Sequence, residues 1–377
     1  MPSNAAAPSR PLPGLDAHPH ARAVLLPALA EDGSPSHAYL FHGPAGTGKR
    51  SAARAFAAAL LSRGARSPDT VAERVARERH PDLTWVRPSG AAEMLVADIE
   101  EPVVAAVAHT PFESARRVFV IEGADAMNDQ AANRMLKILE EPPAFAHLLL
   151  LADRREDVLA TIASRCQHVR FDPLAPQLIA DGLDGVDPER ALACARLALG
   201  DAAWAATLAG EQGDALRAHA QELVGCALRG DVHERPWLGL LAAARAAGAA
   251  AGERAHERTL GELELLPSRE RKRHEREGAD ARRRGERRMR TLTLDRGLRL
   301  AELWLRDMLV LNEGAPELVL AVDRRQQLER DAEQARLAAL ARAIELVGDT
   351  RLSLTANVSE ELALEALAYR LQALLAA

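Results

Sequence analysis

The stretch Gly43-Pro44-Ala45-Gly46-Thr47-Gly48-Lys49 limits the possible folds more than any other part of this chain. Tyr39-Leu40-Phe41-His42 reads as a buried strand entering it, and Ser51 to Leu61 reads as an alanine-rich helix leaving it. Glycines at these spacings let consecutive backbone N–H groups turn inward around phosphate oxygens. The helix N-terminus adds a favourable dipole, and the lysine reaches the terminal phosphates. The segment thus matches the GxxxxGK core of a phosphate-binding loop, which requires a strand–turn–helix setting. Its candidate phosphate contacts are Gly43, Gly46, Thr47, Gly48, Lys49 and Arg50. A strand-to-helix turn that binds nothing would look similar in so alanine- and glycine-rich a chain.

The surrounding pattern extends this reading. Leu83-Thr84-Trp85-Val86, Val118-Phe119-Val120-Ile121 and Leu148-Leu149-Leu150-Leu151 are further strand candidates. Asp129 to Glu140 reads as a helix stopped by Pro142-Pro143, because proline has no N–H to donate and disfavours helix at the residue before it. Apolar runs without polar alternation suit parallel strands covered on both faces. The alternation of strand and helix implies a three-layer α/β domain over residues 16–172. Residues 1–15 (MPSNAAAPSRPLPGL) read as a mobile leader. After Pro173 the strand signals nearly vanish, so 173–210 reads as a small helical lid and 211–377 as an all-helical domain.

The hydrolytic parts of a phosphate loop are missing. The residue after the lysine should be Ser or Thr, whose hydroxyl holds Mg²⁺, but Arg50 stands there. One helical step turns Ser51 by about 100° away from that position. The third strand should end in a metal-holding Asp and a water-activating Glu, yet it runs into Glu122-Gly123. Glu122 keeps a carboxylate one methylene further out, and Gly123 offers no base. The sequence reads as a nucleotide-hydrolysis site dismantled while its fold was kept.

Composition excludes several classes. No apolar run approaches the ~18 residues of a membrane span, and the N-terminus lacks a signal peptide's order of charged then apolar residues, so a cytoplasmic protein with no membrane partner is expected. Cys166, Cys194 and Cys226 are far apart, which leaves neither a disulfide framework nor a CxxC metal knuckle. A formal charge of −6 argues against coating nucleic acid over the whole surface. Only Lys49, Lys137 and Lys272 are lysines among 48 basic residues, a bias typical of GC-rich coding, so an arginine cluster carries less information than usual. Even so, 269–290 holds eleven Arg/Lys against five Asp/Glu. It reads as a solvated helix with i,i+4 ion pairs or a partly disordered insertion, and alternatively as a phosphate-tracking strip. No base-reading module and no polymerase active site is visible.

Four further motifs follow in order: His37-Ala38-Tyr39-Leu40-Phe41-His42-Gly43-Pro44, His80-Pro81-Asp82-Leu83, Met135-Leu136-Lys137-Ile138-Leu139-Glu140-Glu141-Pro142-Pro143 and Ser164-Arg165-Cys166. This series resembles the clamp-loader branch of the AAA+ ATPases, and within it the delta-prime family of bacterial DNA polymerase III. The resemblance covers about 16–210. Beyond that it extends only weakly, through Leu303-Trp304-Leu305-Arg306-Asp307-Met308-Leu309, to the family's helical collar. It implies an AAA+ (P-loop NTPase-type) α/β domain with a parallel sheet, then a lid and a collar.

In function, the resemblance implies a non-hydrolysing stator within a pentameric clamp loader beside gamma/tau- and delta-type subunits. Such a complex opens the sliding clamp and loads it on primed DNA. Arg165 matches an arginine finger given in trans to a neighbour's ATP site; the plainer alternative pairs it with Glu156 or Asp157. Asp153 falls at the γ-phosphate-sensing position, where a carboxylate would repel ATP. Gly200-Asp201-Ala202-Ala203-Trp204 lacks the lid arginine that senses nucleotide. Many relatives carry a four-cysteine zinc module before His-Pro-Asp, but Leu61 to Arg79 contains no cysteine, so no zinc is expected and His80 reads as a turn residue. No cofactor is required on this reading, though residual ATP or ADP binding stays open. The rival expectation is an active ATPase subunit that uses Glu122 and Lys49.

Overall fold

The computed structural model describes Leu12 and residues 15–88, 93–265, 267–355 and 358–376. Two compact units divide the chain, one ending at Leu174 and the other beginning at Ala175. In the first, β1 (Ala38–His42), β2 (Leu83–Val86), β3 (Arg117–Glu122), β4 (Ala146–Ala152) and β5 (Gln167–Arg170) form one parallel sheet in the order β2-β3-β4-β1-β5. Around it run α1 (Pro19–Leu29), α2 (Lys49–Ser62), α3 (Pro68–Ala76), α4 (Val96–Ile99), α5 (Asp129–Glu140) and α6 (Ala160–Ala163).

Both sheet faces are buried, which explains the unbroken apolar runs. Along β1, Ala38 and Leu40 join the core on the α5 side, while Tyr39 and Phe41 join the core built from α1, α2 and α3. Strands β3 and β4 split in the same way: Phe119, Ile121, Leu148 and Leu150 lie on one side and Val118, Val120, Leu149 and Leu151 on the other. Successive strand side chains point to opposite faces, so two covered faces require apolar residues at every position.

Helix α5 has the bounds expected from sequence. Asn128 caps it by accepting the Ala131 N–H at 2.9 Å. Strand β5 was not expected; its burial runs exposed, half-buried, buried, exposed, so only Val169 faces a core. The leader's residues 1–11, 13 and 14 lie outside the described residues. Leu12 and Leu15 are buried in the α1–α3 core, so a leader free as far as residue 15 does not match their packing.

The second unit is helical: α7 (Pro176–Asp181), α8 (Pro188–Leu197), α9 (Ala202–Ala209), α10 (Glu211–Arg229), α11 (Trp237–Leu265), α12 (Ser268–Asn312), α13 (Arg325–Glu333), α14 (Leu337–Thr355) and α15 (Glu360–Leu375). The helices expected as a lid and those expected as a collar thus share one unit. The Leu303–Leu309 motif anchors it. Leu303, Trp304, Leu305 and Met308 are buried, and the Trp304 indole donates to Asp331 at 2.9 Å. Asp307 accepts the Leu320 and Ala321 N–H groups, each at 2.9 Å, holding the segment before α13 against α12. Arg217, 1% exposed in its side chain, makes a bidentate pair with Asp323 at 2.7 and 2.9 Å. No helix among the described residues is long and apolar enough to cross a membrane.

Candidate functional site

The phosphate-type loop sits where its sequence requires, between the end of β1 and the start of α2. Gly43, Gly46 and Gly48 all adopt positive φ, at 141°, 71° and 92°. Position 43 allows nothing larger, because a Cβ there would lie 1.9 Å from the Phe171 carbonyl oxygen. Thr47 is fully buried and donates to the Pro44 carbonyl at 2.9 Å.

Lys49 does not reach outward. Its ammonium donates to the carbonyls of Gly43 and Pro44, the latter at 2.6 Å, and pairs with Asp153 at 2.9 Å. Asp153 is held in turn from a third segment, since the Asp125 carboxylate accepts the N–H groups of Asp153 and Arg154 at 2.8 and 3.0 Å. The carboxylate expected only to repel nucleotide therefore also occupies the lysine that would bind it.

The end of β3 is equally committed. Glu122 is buried, and Arg50, the residue standing in the metal-holding Ser/Thr position, pairs with its Oε2 at 2.6 Å. Oε1 accepts the Trp85 indole N–H at 2.6 Å and lies 3.2 Å from Arg87 Nε. Two guanidinium groups and an indole thus surround the carboxylate in the region where the divalent cation of an active site would be held. The Arg87 guanidinium also lies over the Trp85 ring, 5.5 Å from its centroid, and the anions around it raise its pKa against the opposing effect of burial. Gly123 follows with φ 72°, and a Cβ there would come 2.9 Å from Pro88. The position expected to supply a base is therefore closed to a side chain by backbone and neighbour alike.

The other motifs resolve into parts of this scaffold. Asp82 of His-Pro-Asp is fully buried and accepts the N–H groups of Phe112, Glu113 and Ser114 at 2.5, 3.0 and 2.8 Å. His80 accepts the Asp82 N–H at 3.2 Å, and burial lowers its pKa. In Ser-Arg-Cys, Cys166 points inward with its thiol pushed up to about 12 by burial. Arg165 points outward, donates to the Thr161 carbonyl at 3.0 Å and pairs with Glu140 of the Leu-Glu-Glu-Pro-Pro motif at 2.7 Å. Its acid partner is therefore Glu140 rather than Glu156 or Asp157. Trp204 carries no sensing arginine of its own helix, but Arg296 stacks over its ring at 4.2 Å.

Among the described residues, Glu222, Cys226 and Glu234 of the helical unit lie close enough to share a cation. Arg229 already bonds Glu222 at 3.0 Å and Cys226 at 3.4 Å, and burial pushes the Cys226 thiol up to about 12, so this grouping is a poor metal site.

A parallel sheet with a phosphate-type loop after β1 and an acidic end to β3 defines the first unit as an AAA+-type α/β domain. Residues 19–175 match the family described as "DNA polymerase III, delta subunit". The chain is 37% identical over 154 residues to the DNA polymerase III subunit delta' of Bacillus subtilis, covering 39% of this chain and 46% of that one. It is 35% identical over 163 residues to the gamma/tau subunit of Mycobacterium tuberculosis, covering 42% of this chain and 28% of that one. A gamma subunit-related protein from Thermotoga maritima covers 90% of this chain and 94% of its own at 15% identity, with a TM-score of 0.44. The chain spans less than half the length of the curated relatives it matches.

Proposed function

We propose that this chain is a non-hydrolysing, delta-prime-like subunit of a DNA polymerase III clamp loader. It contributes shape and one outward guanidinium to the loading of a sliding clamp on primed DNA. The observation that carries the reading is the commitment of Glu122 to Arg50, Arg87 and Trp85, with Lys49 turned onto its own loop and Asp153. A carboxylate so surrounded has no free oxygen for magnesium, and no base follows it. No cofactor is needed for this role; any residual ATP or ADP binding would be weak and independent of metal.

Arg165 serves as the finger toward a neighbouring gamma/tau-type ATPase subunit. Its pair with Glu140 is supported by geometry but half exposed on the acid side, so it is worth about 0–1 kcal/mol and is cheap to exchange for a phosphate. An always-charged guanidinium suits oxygens that gain charge in phosphoryl transfer, and a finger in trans is worth about 10³–10⁵ in rate.

The test is single-turnover ATP hydrolysis by a loader reconstituted with gamma/tau- and delta-type subunits. Arg165→Ala should lower clamp- and DNA-stimulated hydrolysis by orders of magnitude while assembly mass is unchanged. Unchanged hydrolysis would remove the finger role. Steady turnover by the isolated chain, abolished by Lys49→Ala, would replace the stator reading with that of a motor subunit.

A further inference from the structure

The α11–α12 hairpin holds a feature that the α/β unit does not account for. From Arg290 onward α12 is built into the helical unit: Leu294, Leu298, Leu300 and Ala301 are buried, and Arg351 pairs with Asp295 and Glu302 at 2.9 and 2.7 Å. Before that point its contacts are with α11. Gly278 lies against Thr259 and Gly252 against Glu286, and Arg282 reaches Glu253 at 4.0 Å. Among the described residues, no side chain from Glu253 to Thr293 is buried. A helix pair without a buried core adds little to the stability of its bundle, because burial of apolar surface is the main favourable contribution to folding.

What α12 presents here instead is an excess of positive charge, ten Arg/Lys against five Asp/Glu over residues 269–288. At about 100° per residue, positions 278, 282 and 286 turn toward α11. The face turned away from α11 carries Arg269, Arg276, Arg284 and Arg288, with Lys272 on its flank, all exposed and none in an ion pair among the described residues; the exposed Asp280 lies among them. Arg283 also lies there, paired with Asp280 at 3.0 Å. The five free cations span about 29 Å at 1.5 Å per residue, close to one turn of duplex DNA.

The composition of the face selects the occupant. Apart from charged residues and one histidine, residues 269–288 contain only alanine and glycine. A protein partner would need a buried apolar or aromatic anchor, which this strip lacks. A membrane-surface helix would need an apolar face, and single-stranded nucleic acid would favour aromatic platforms. A regular polyanion needs only spaced cations.

We propose that the face of α12 from Arg269 to Arg288 is a docking strip for the phosphate backbone of duplex DNA, gripping it without reading bases. The strip lies outside the α/β site, and the proposal does not depend on the stator reading.

The test is fluorescence anisotropy of the full chain with a labelled duplex of about 20 base pairs and mixed sequence, titrated at several salt concentrations. Changing all five cations to glutamine keeps good helix formers and removes the charge. Each lost phosphate contact lowers the salt slope by about 0.9, so the quintuple variant should lose about 4.5 from the slope and at least a hundredfold in affinity at low salt. Arg284→Gln with Arg288→Gln alone should lose about 1.8 from the slope. Replacing the four arginines by lysine should keep binding within severalfold, which separates charge from fold. Duplex binding and slope unchanged in the quintuple variant would overturn the proposal, as would no duplex binding by the unaltered chain. Equal displacement by polyglutamate would also overturn it, by assigning the strip to an acidic protein.

Discussion

Replacing Arg50 by threonine tests how the degenerate site is held together. Arg50 Nη2 sits 2.6 Å from Glu122 Oε2, with the arginine side chain 67% exposed and the glutamate side chain 6% exposed. Trp85 and Arg87 remain on the other carboxylate oxygen after the change. The lost limb is thus an ion pair with one wet partner, worth about 1 kcal/mol after solvent screening and well short of the ~3–5 of a wholly buried pair. For a unit of this size, 1 kcal/mol moves Tm by about 2–4 °C. Threonine also restores the hydroxyl that a phosphate loop places on Mg²⁺, and it leaves Glu122 with one fewer cation. The variant should therefore melt a few degrees lower in EDTA and recover part of that loss in Mg·ATP, whereas the unaltered chain should show no magnesium-dependent shift. Turnover should stay absent, since Gly123 still offers no base. Scanning calorimetry with and without Mg·ATP, with a phosphate-release assay, reads all of these effects. A loss above ~10 °C, a magnesium-dependent shift in the unaltered chain, or steady hydrolysis by the variant would refute the reasoning.

Three other outcomes follow from the packing. Asp82→Ala removes a buried carboxylate that accepts three N–H groups; because those groups belong to exposed or half-buried residues that water can reach, the loss should be about 1–3 kcal/mol, seen as a lower denaturant midpoint. Arg217→Met should destabilise the helical unit by about 3–5 kcal/mol by leaving Asp323 unpaired, and adding Asp323→Leu should restore most of it; an additive loss in the double variant would argue against the pair. Burial lowers the pKa of His18, His42, His80, His147 and His168, so the unfolded chain takes up protons first as pH falls. Stability from these groups is complete above about pH 6.5 and declines as the pH drops below it toward their folded pKa values; a Tm flat from pH 7.5 to 5 would contradict their burial.

Most of the sheet was legible because its strands are apolar at every position, and α5 because Pro142-Pro143 end it; its Asn128 cap came only from the structure. Strand β5 was not, since Gln167, His168 and Arg170 leave only Val169 facing a core. The loss of hydrolytic residues could be read directly from Arg50 and Gly123. The partners that fill the gap could not, because Trp85, Arg87 and Asp153 reach Glu122 and Lys49 only through sheet pairing across long sequence separations. Arg165 was visible as a motif, but its partner Glu140 was not: nothing in the spacing says that the turn after β4 brings α6 alongside the end of α5. Leu12 and Leu15 went unnoticed as core residues because a Pro- and Ala-rich stretch shows no periodicity.

The Phe171 carbonyl pressed against Gly43 bears on how such a chain ages. A loop that binds nothing is expected to drift, yet a methyl group at position 43 would collide with the main chain leaving β5 whether or not a phosphate ever arrives. That glycine is therefore held by steric necessity, whatever the loop does or does not bind. In relatives of this protein, its retention alone is no sign of a working nucleotide pocket.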